Sequence, residues 1–287
     1  MEKTTSGWVS GFIGVAIFAG SLPATRVAVA DFDPIFLTAA RATVAALLGL
    51  ALLLALRQPK PRGADIPSLA LTALGVVVGF PLLTALALQH VTSAHSIVFV
   101  GLLPLCTAIF AVLRGGERPR PLFWLFSVLG AAFVAGYSAK GGMQASLQGD
   151  LLMLAAILAC GLGYAEGARL SRSLGGWQVI SWALVISLPV MLPITLLTMP
   201  SSFAHVSTPA WLGLAYVSLF SMLIGFVFWY HGLARGGIAA VGQLQLLQPF
   251  MGLGLAALLL QEQVSPAMLL VTLGAVACVA GAKKFAG

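Results

Sequence analysis

Few side chains in this sequence could do chemistry, and almost all of them sit in apolar surroundings. Glu166 is a carboxylate inside a hydrophobic run, with Arg169 three residues on and so on the same helix face. Two readings stand for it: an ion pair, or a group whose burial tunes it to bind protons or cations. Arg41 lies seven residues into another apolar run, about 10 Å deep at 1.5 Å per residue. A guanidinium there either satisfies neighbouring carbonyls or meets an anionic group from outside the chain. Gln243, Gln245 and Gln248 supply amides that both donate and accept, suited to interhelical bonding or to a zwitterionic solute. Pro104 and Pro249 interrupt apolar runs and are candidate hinges. The histidines His90, His95, His205 and His231 are scattered, and Cys106, Cys160 and Cys278 form no CxxC pair, so neither a metal site nor a disulfide framework is expected. Walker A and HExxH motifs are absent, and no catalytic constellation or cofactor is expected.

The elements that position these residues follow from composition. Of 287 residues, 60% are hydrophobic and 8% charged, with mean hydropathy +1.02. Soluble domains carry about 25% charged residues, so the chain reads as a membrane protein. Its runs are continuous rather than alternating, which favours a helical bundle over a barrel. Ten spans are expected: Trp8–Ala30, Pro34–Leu56, Ile66–Leu88, Ser93–Leu113, Pro121–Tyr137, Leu151–Leu170, Val179–Leu197, Pro209–Leu233, Ile238–Leu260 and Ala267–Ala282. At about 20 residues each they leave no room for a soluble catalytic domain.

A net charge of +7 in a soluble protein would suggest nucleic acid, but here the basic residues punctuate hydrophobic runs. With the N-terminus inside, twelve of the fifteen Lys and Arg residues fall on the inner side. Lys140 alone falls outside, and Arg26 and Arg41 lie within spans. Both termini are therefore expected in the cytoplasm of a bacterial cell, with the chain a multi-pass protein of the inner membrane.

The sequence also repeats. At a constant offset of 145, Pro104, Glu117, Pro121 and Gly136 match Pro249, Glu262, Pro266 and Gly281. A five-helix unit has an odd number of crossings, so its second copy enters from the opposite side. The expected fold is all-α, two inverted five-helix repeats (1–140 and 147–287) packed as one transmembrane bundle.

This arrangement, with TAARATVAALL around Arg41 and the paired segments PLCTAIFAVLRGGERPRP and PFMGLGLAALLLQEQVSP, resembles the EamA-type branch of the drug/metabolite transporter superfamily. Within it, the chain is similar to the YddG-type bacterial amino-acid exporters. The resemblance implies a secondary transporter whose cavity draws on both repeats, with Ser21, Phe80, Ser96, Phe99, Tyr164, Ser221 and Trp229 joining Gln245 and Gln248 as substrate-binding candidates. Arg41 and Glu166 are then the coupling or charge-pairing candidates, and Pro104 and Pro249 the bending points of equivalent helices. The expected function is export of amino acids, aromatic ones included, by alternating access. A proton-coupled multidrug exporter for hydrophobic cations is the alternative. Expected partners are a small-molecule substrate and the lipid bilayer, with the monomer as the working unit.

Overall fold

A computed structural model describes residues 2–115, 120–139, 146–236 and 241–285. Among them there is helix and no strand. In chain order the helices are α1 (Glu2–Ala19 continuing as Ser21–Ala28), α2 (Pro34–Ala55), α3 (Gly63–Ala87), α4 (Ser93–Val100 then Leu103–Gly115) and α5 (Pro121–Ala139). They are followed by α6 (Leu147–Leu174), α7 (Gly176–Leu197), α8 (Thr208–Leu233), α9 (Gly242–Leu247 then Gln248–Leu260) and α10 (Pro266–Lys284). Six of these, α1, α2, α3, α6, α7 and α8, hold stretches long and apolar enough to cross a membrane. The apolar stretches of α4, α5, α9 and α10 are shorter among the described residues. Breaks explain two of them: α4 turns at Gly101–Leu102, and α9 begins as a 3-10 stretch over Gly242–Leu247.

Local chemistry sets the helix ends. Asp33 accepts from the backbone N–H of Ile35 (2.8 Å) and Phe36 (3.1 Å), with Pro34 opening α2. Ser146 caps Gly149 and starts α6 a turn before the apolar run alone suggests, while Gly175 at φ +96° ends it. Thr92 caps α4 through His95 N–H.

The packing has a regularity that the linear sequence does not display. The extensive interfaces include α1 on α8, α3 on α6, α4 on α6, α1 on α9, and the pairs α2–α7, α4–α9 and α5–α10. Exchanging each helix for the one five places along returns the same set. In lipid such contacts depend on close approach and buried hydroxyls. Thr43 and Thr195 share a 2.9 Å hydrogen bond between α2 and α7. Gly75 of α3 lies against α6, where an added Cβ would stand 2.5 Å from the Ala159 carbonyl oxygen and 2.7 Å from Gly163 Cα. Those neighbours are backbone and cannot give way. Gly75→Ala should therefore destabilise the α3–α6 interface by about 1–3 kcal/mol, checked as a lower midpoint of thermal unfolding in detergent; an unchanged midpoint would show that the interface relaxes freely.

Large apolar side chains such as Leu197, Leu258 and Leu147 are exposed around the perimeter, as expected where hydrocarbon is the solvent. At the loop level, Asp31 accepts from Ser207 through both hydroxyl (2.5 Å) and backbone N–H (2.8 Å), tying the α1–α2 loop to the start of α8. The Ser207 hydroxyl first, then its N–H, hold the Asp31 carboxyl below its ordinary 3.8. A depressed carboxylate contributes its stability above the unfolded value and loses it as pH falls through the folded one. The difference in unfolding midpoint between the wild type and Asp31→Asn should thus stay constant through neutral and mildly acidic pH, and shrink only below 3.8.

Candidate functional site

The site forms where α3 and α8, partners under the five-helix exchange, both loosen into π-helix: Ala73–Gly79 and Val217–Ile224. Such wide turns are rare and concentrate at functional sites. A matching pair stands at the end of each, Gly79-Phe80 and Gly225-Phe226. The two phenylalanines, one from each half, line the same cavity. A π turn brings residues five apart onto one face, so Ser221 and Phe226 face the cavity together.

The cavity is narrow, about 20 Å³, room for one or two waters. Its polar edge is made by Ser21 of α1, Arg41 of α2, Ser221 of α8 and Gln248 of α9. Ser21 and Ser221 share a 2.7 Å hydrogen bond, and Arg41 Nη2 donates to Ser221 Oγ at 3.2 Å. Arg41 is 4% exposed, and its Nε has no hydrogen-bond partner. Among the described residues no carboxylate pairs with it. A buried guanidinium so sparsely bonded is costly and is retained where it has work to do. Much of the remaining lining is aromatic. Phe18 packs edge-on against Phe226 at 4.9 Å between ring centroids, and Tyr164 lies 5.9 Å from Phe226. The arrangement can hold an anionic group at Arg41 with an apolar or aromatic body against these rings.

Of the sequence-derived candidates, the cavity gathers Ser21, Arg41, Phe80, Tyr164, Ser221 and Gln248. The others lie off it. Trp229 is buried behind the rings, 5.9 Å from Tyr164, with its Nε1 unpartnered. Ser96 and Gln245 are buried in α4 and in the 3-10 stretch of α9, and Phe99 rests on the His95 ring at 5.7 Å. Glu166 is fully buried and its carboxylate bonds Arg169 Nη2 at 2.8 Å; the same nitrogen donates to Ser68 of α3 at 2.5 Å. Pro104 and Pro249 each stand second in a new helical stretch, Leu103–Gly115 and Gln248–Leu260, where a missing N–H costs little. The side chains of Pro104 and Gln243 lie outside the described residues, as do Glu117 and Lys140.

Sequence reasoning did not single out Phe18, Cys160 or Phe226 as lining residues. A signal exists for Phe18, which precedes Ser21 and Leu22 at helical spacing. For Phe226 an α-helical face through Ser218, Ser221 and Gly225 leads to Trp229 instead, because the π turn is invisible to a 3.6-residue period.

Comparison with known proteins gives the chain a family. The model of the EamA-like transporter family matches twice, over residues 5–139 and 147–282, and so accounts for both halves. The chain belongs to the EamA-like transporter family. It is a transporter and not an enzyme, and several of its helices are fit to span a membrane. It is 64% identical over 286 residues, the full length of both chains, to the uncharacterized transporter YdeK of Bacillus subtilis. It is 26% identical to a probable terminal-alkyne amino-acid exporter of Streptantibioticus cattleyicolor, over 82% of this chain and 79% of that one. A crystal structure superimposes with a TM-score of 0.67 at 19% identity, covering 96% of this chain and 98% of its own, and so shares the fold. Two family units, each contributing one π-helical wall, fit an internally duplicated EamA transporter with an inverted repeat.

Proposed function

We propose that this EamA transporter exports amino acids, aromatic ones included, across the bacterial inner membrane by alternating access. The observation that carries the reading is Arg41: buried, without a carboxylate partner among the described residues, with an unbonded Nε, and lining a cavity that aromatic rings also line. A zwitterion would place its carboxylate on Arg41 and Ser221, displacing the Ser21–Ser221 bond. Its ammonium would meet the Gln248 carbonyl and its side chain the Phe80, Tyr164 and Phe226 rings. The amino-acid exporter among the relatives supports the same substrate class.

In this reading the chain makes ten crossings with both termini cytoplasmic, and the halves 1–140 and 147–287 are inverted copies working as a monomer. Small-molecule sites usually reach about 300 Å³ or more, so loading requires the helices around the cavity to part. The bending points are the paired π segments and the broken starts at Pro104 and Pro249. A cation exporter is the second reading, and a fixed positive charge at the cavity weighs against it.

The test is flux of a labelled amino-acid panel through proteoliposomes holding the purified protein. Saturable flux of aromatic members is expected. Movement of lipophilic cations with no amino-acid flux would overturn the reading. Because Glu166 is engaged by Arg169 away from the cavity, Glu166→Gln should leave amino-acid flux within about twofold of wild type, whereas loss of flux with an intact fold would return Glu166 to the mechanism.

A further inference from the structure

The charge balance of the cavity says more about its occupant than the shape does. Among the described residues Arg41 is the one charged side chain that lines it. The side-chain oxygens around it are neutral: the hydroxyls of Ser21, Ser221 and Tyr164 and the amide of Gln248. No described acidic side chain stands in the lining. Glu166 accepts from Arg169, Glu262 accepts from Ser93 and Ala94, and Asp150 contacts His95.

The duplication sharpens this polarity. To within one residue of the 145-residue offset, Phe18 of α1 corresponds to Tyr164 of α6, Val76 of α3 to Met222 of α8, and Phe80 to Phe226. All six line the cavity, so its apolar frame is built twice, once by each half. The polar edge is built once. Ser21 and Ser221 correspond to Gly167 and Gly75, and Gln248 corresponds to Leu103. At Gly167 an added Cβ would run into the Tyr230 hydroxyl, and at Gly75 it would stand 2.5 Å from the Ala159 carbonyl oxygen. Neither position has room for a side chain. Ile186 and Ser187 stand at the offset from Arg41, and neither lines the cavity. The site thus offers one polar edge bearing one positive charge, inside an apolar frame common to both halves.

An occupant must match that balance. An aromatic monocarboxylate sets one negative charge beside Arg41 and leaves the buried site neutral. A zwitterion brings an ammonium as well, whose three donors meet only neutral side-chain oxygens. The occupied site then keeps a net positive charge in low-dielectric surroundings, which is costly. We infer that this cavity selects for the carboxylate and against the ammonium, so that the transporter binds and moves aromatic monocarboxylates without an α-amino group, 3-arylpropanoates and their 2-hydroxy derivatives, in preference to the amino acids themselves. The inference rests on the reading that this cavity is the solute site, and it widens the exported class from amino acids to aromatic carboxylate anions.

Three probes that share a phenyl ring and differ in charge test it: 3-phenylpropanoate, phenylalanine and 2-phenylethylammonium. Binding to the detergent-purified full chain is read by calorimetry, and competition is read as inhibition of labelled phenylalanine flux in proteoliposomes. In the wild type, 3-phenylpropanoate should bind about tenfold or more tighter than phenylalanine and inhibit its flux competitively, and 2-phenylethylammonium should bind least. Arg41→Met should lose the 3-phenylpropanoate affinity. Gln248→Glu, which sets a carboxylate at the polar edge, should reverse the order of 3-phenylpropanoate and phenylalanine. If wild-type protein holds 3-phenylpropanoate no more tightly than phenylalanine, the ammonium has a partner in the site and the inference fails, while amino-acid export stands. A 3-phenylpropanoate affinity that survives Arg41→Met also overturns it. Tight 3-phenylpropanoate binding without any phenylalanine flux supports the inference and counts against the amino-acid reading instead. Preference for 2-phenylethylammonium over both carboxylates overturns the two together.

Discussion

Arg41→Met should abolish amino-acid export while leaving the protein at least as stable as wild type. Truncating one side of a buried, hydrogen-bonded charge pair costs about 2–5 kcal/mol, so uptake at limiting substrate should fall by about thirtyfold or more. Stability should move the other way. Arg41 is 4% exposed and bonds only Ser221 among the described residues, and replacing a buried, under-compensated charge by an apolar side chain of similar volume is commonly neutral or stabilising. The two readouts together separate roles that either alone would confuse. Flux loss with a maintained or raised unfolding midpoint marks a substrate-binding cation; flux loss with a lowered midpoint marks a structural one. Arg41→Lys should recover only a small part of the flux, because a single ammonium cannot offer the planar fork that grips a carboxylate on two oxygens. An Arg41→Met protein with wild-type flux would end the carboxylate reading.

The second large effect is expected at Glu262. Its carboxylate accepts from Ser93 N–H (3.1 Å), Ser93 Oγ (2.8 Å) and Ala94 N–H (2.7 Å). It thus caps the start of α4 from the other half of the chain. Ser93 and Ala94 are fully buried, so Glu262→Ala leaves backbone donors without partners at a cost of about 1–3 kcal/mol, with the charge–dipole attraction lost besides. The unfolding midpoint in detergent should fall, and Glu262→Gln, which keeps an acceptor, should recover roughly half of the loss. A midpoint unmoved in Glu262→Ala would mean that the α4 start is held by something else. Flux should fall further than stability alone explains, because α4 carries Leu103 into the cavity wall. Glu262 attracted notice in the sequence only as the repeat partner of Glu117. Its partners lie 168 and 169 residues away, a distance over which spacing says nothing.

What could be read without coordinates was what depends on local or averaged physics. Hydropathy alone marked the apolar runs, since any polar backbone in lipid must satisfy itself within a helix. The 145-residue offset disclosed the duplication, and the family match over both halves agrees with it. Arg41 stood out because a guanidinium in an apolar run is rare at any address. The Glu166–Arg169 spacing announced a neighbour relation, which the 2.8 Å contact displays.

The tertiary structure decided which of these residues share a space. Ser21 and Ser221 are 200 residues apart and touch; Ser96 and Trp229, equally plausible on paper, are turned elsewhere. The π segments of α3 and α8 rotate everything beyond them relative to an α-helical wheel, which is why Phe226 reaches the cavity and Trp229 stands behind it. His95, Asp150 and Tyr137 stand on three different helices and meet only once these pack. Composition and period act along the chain and survive averaging, whereas a site depends on a few directed contacts between distant segments. Those contacts are set by packing, and only the folded bundle specifies them.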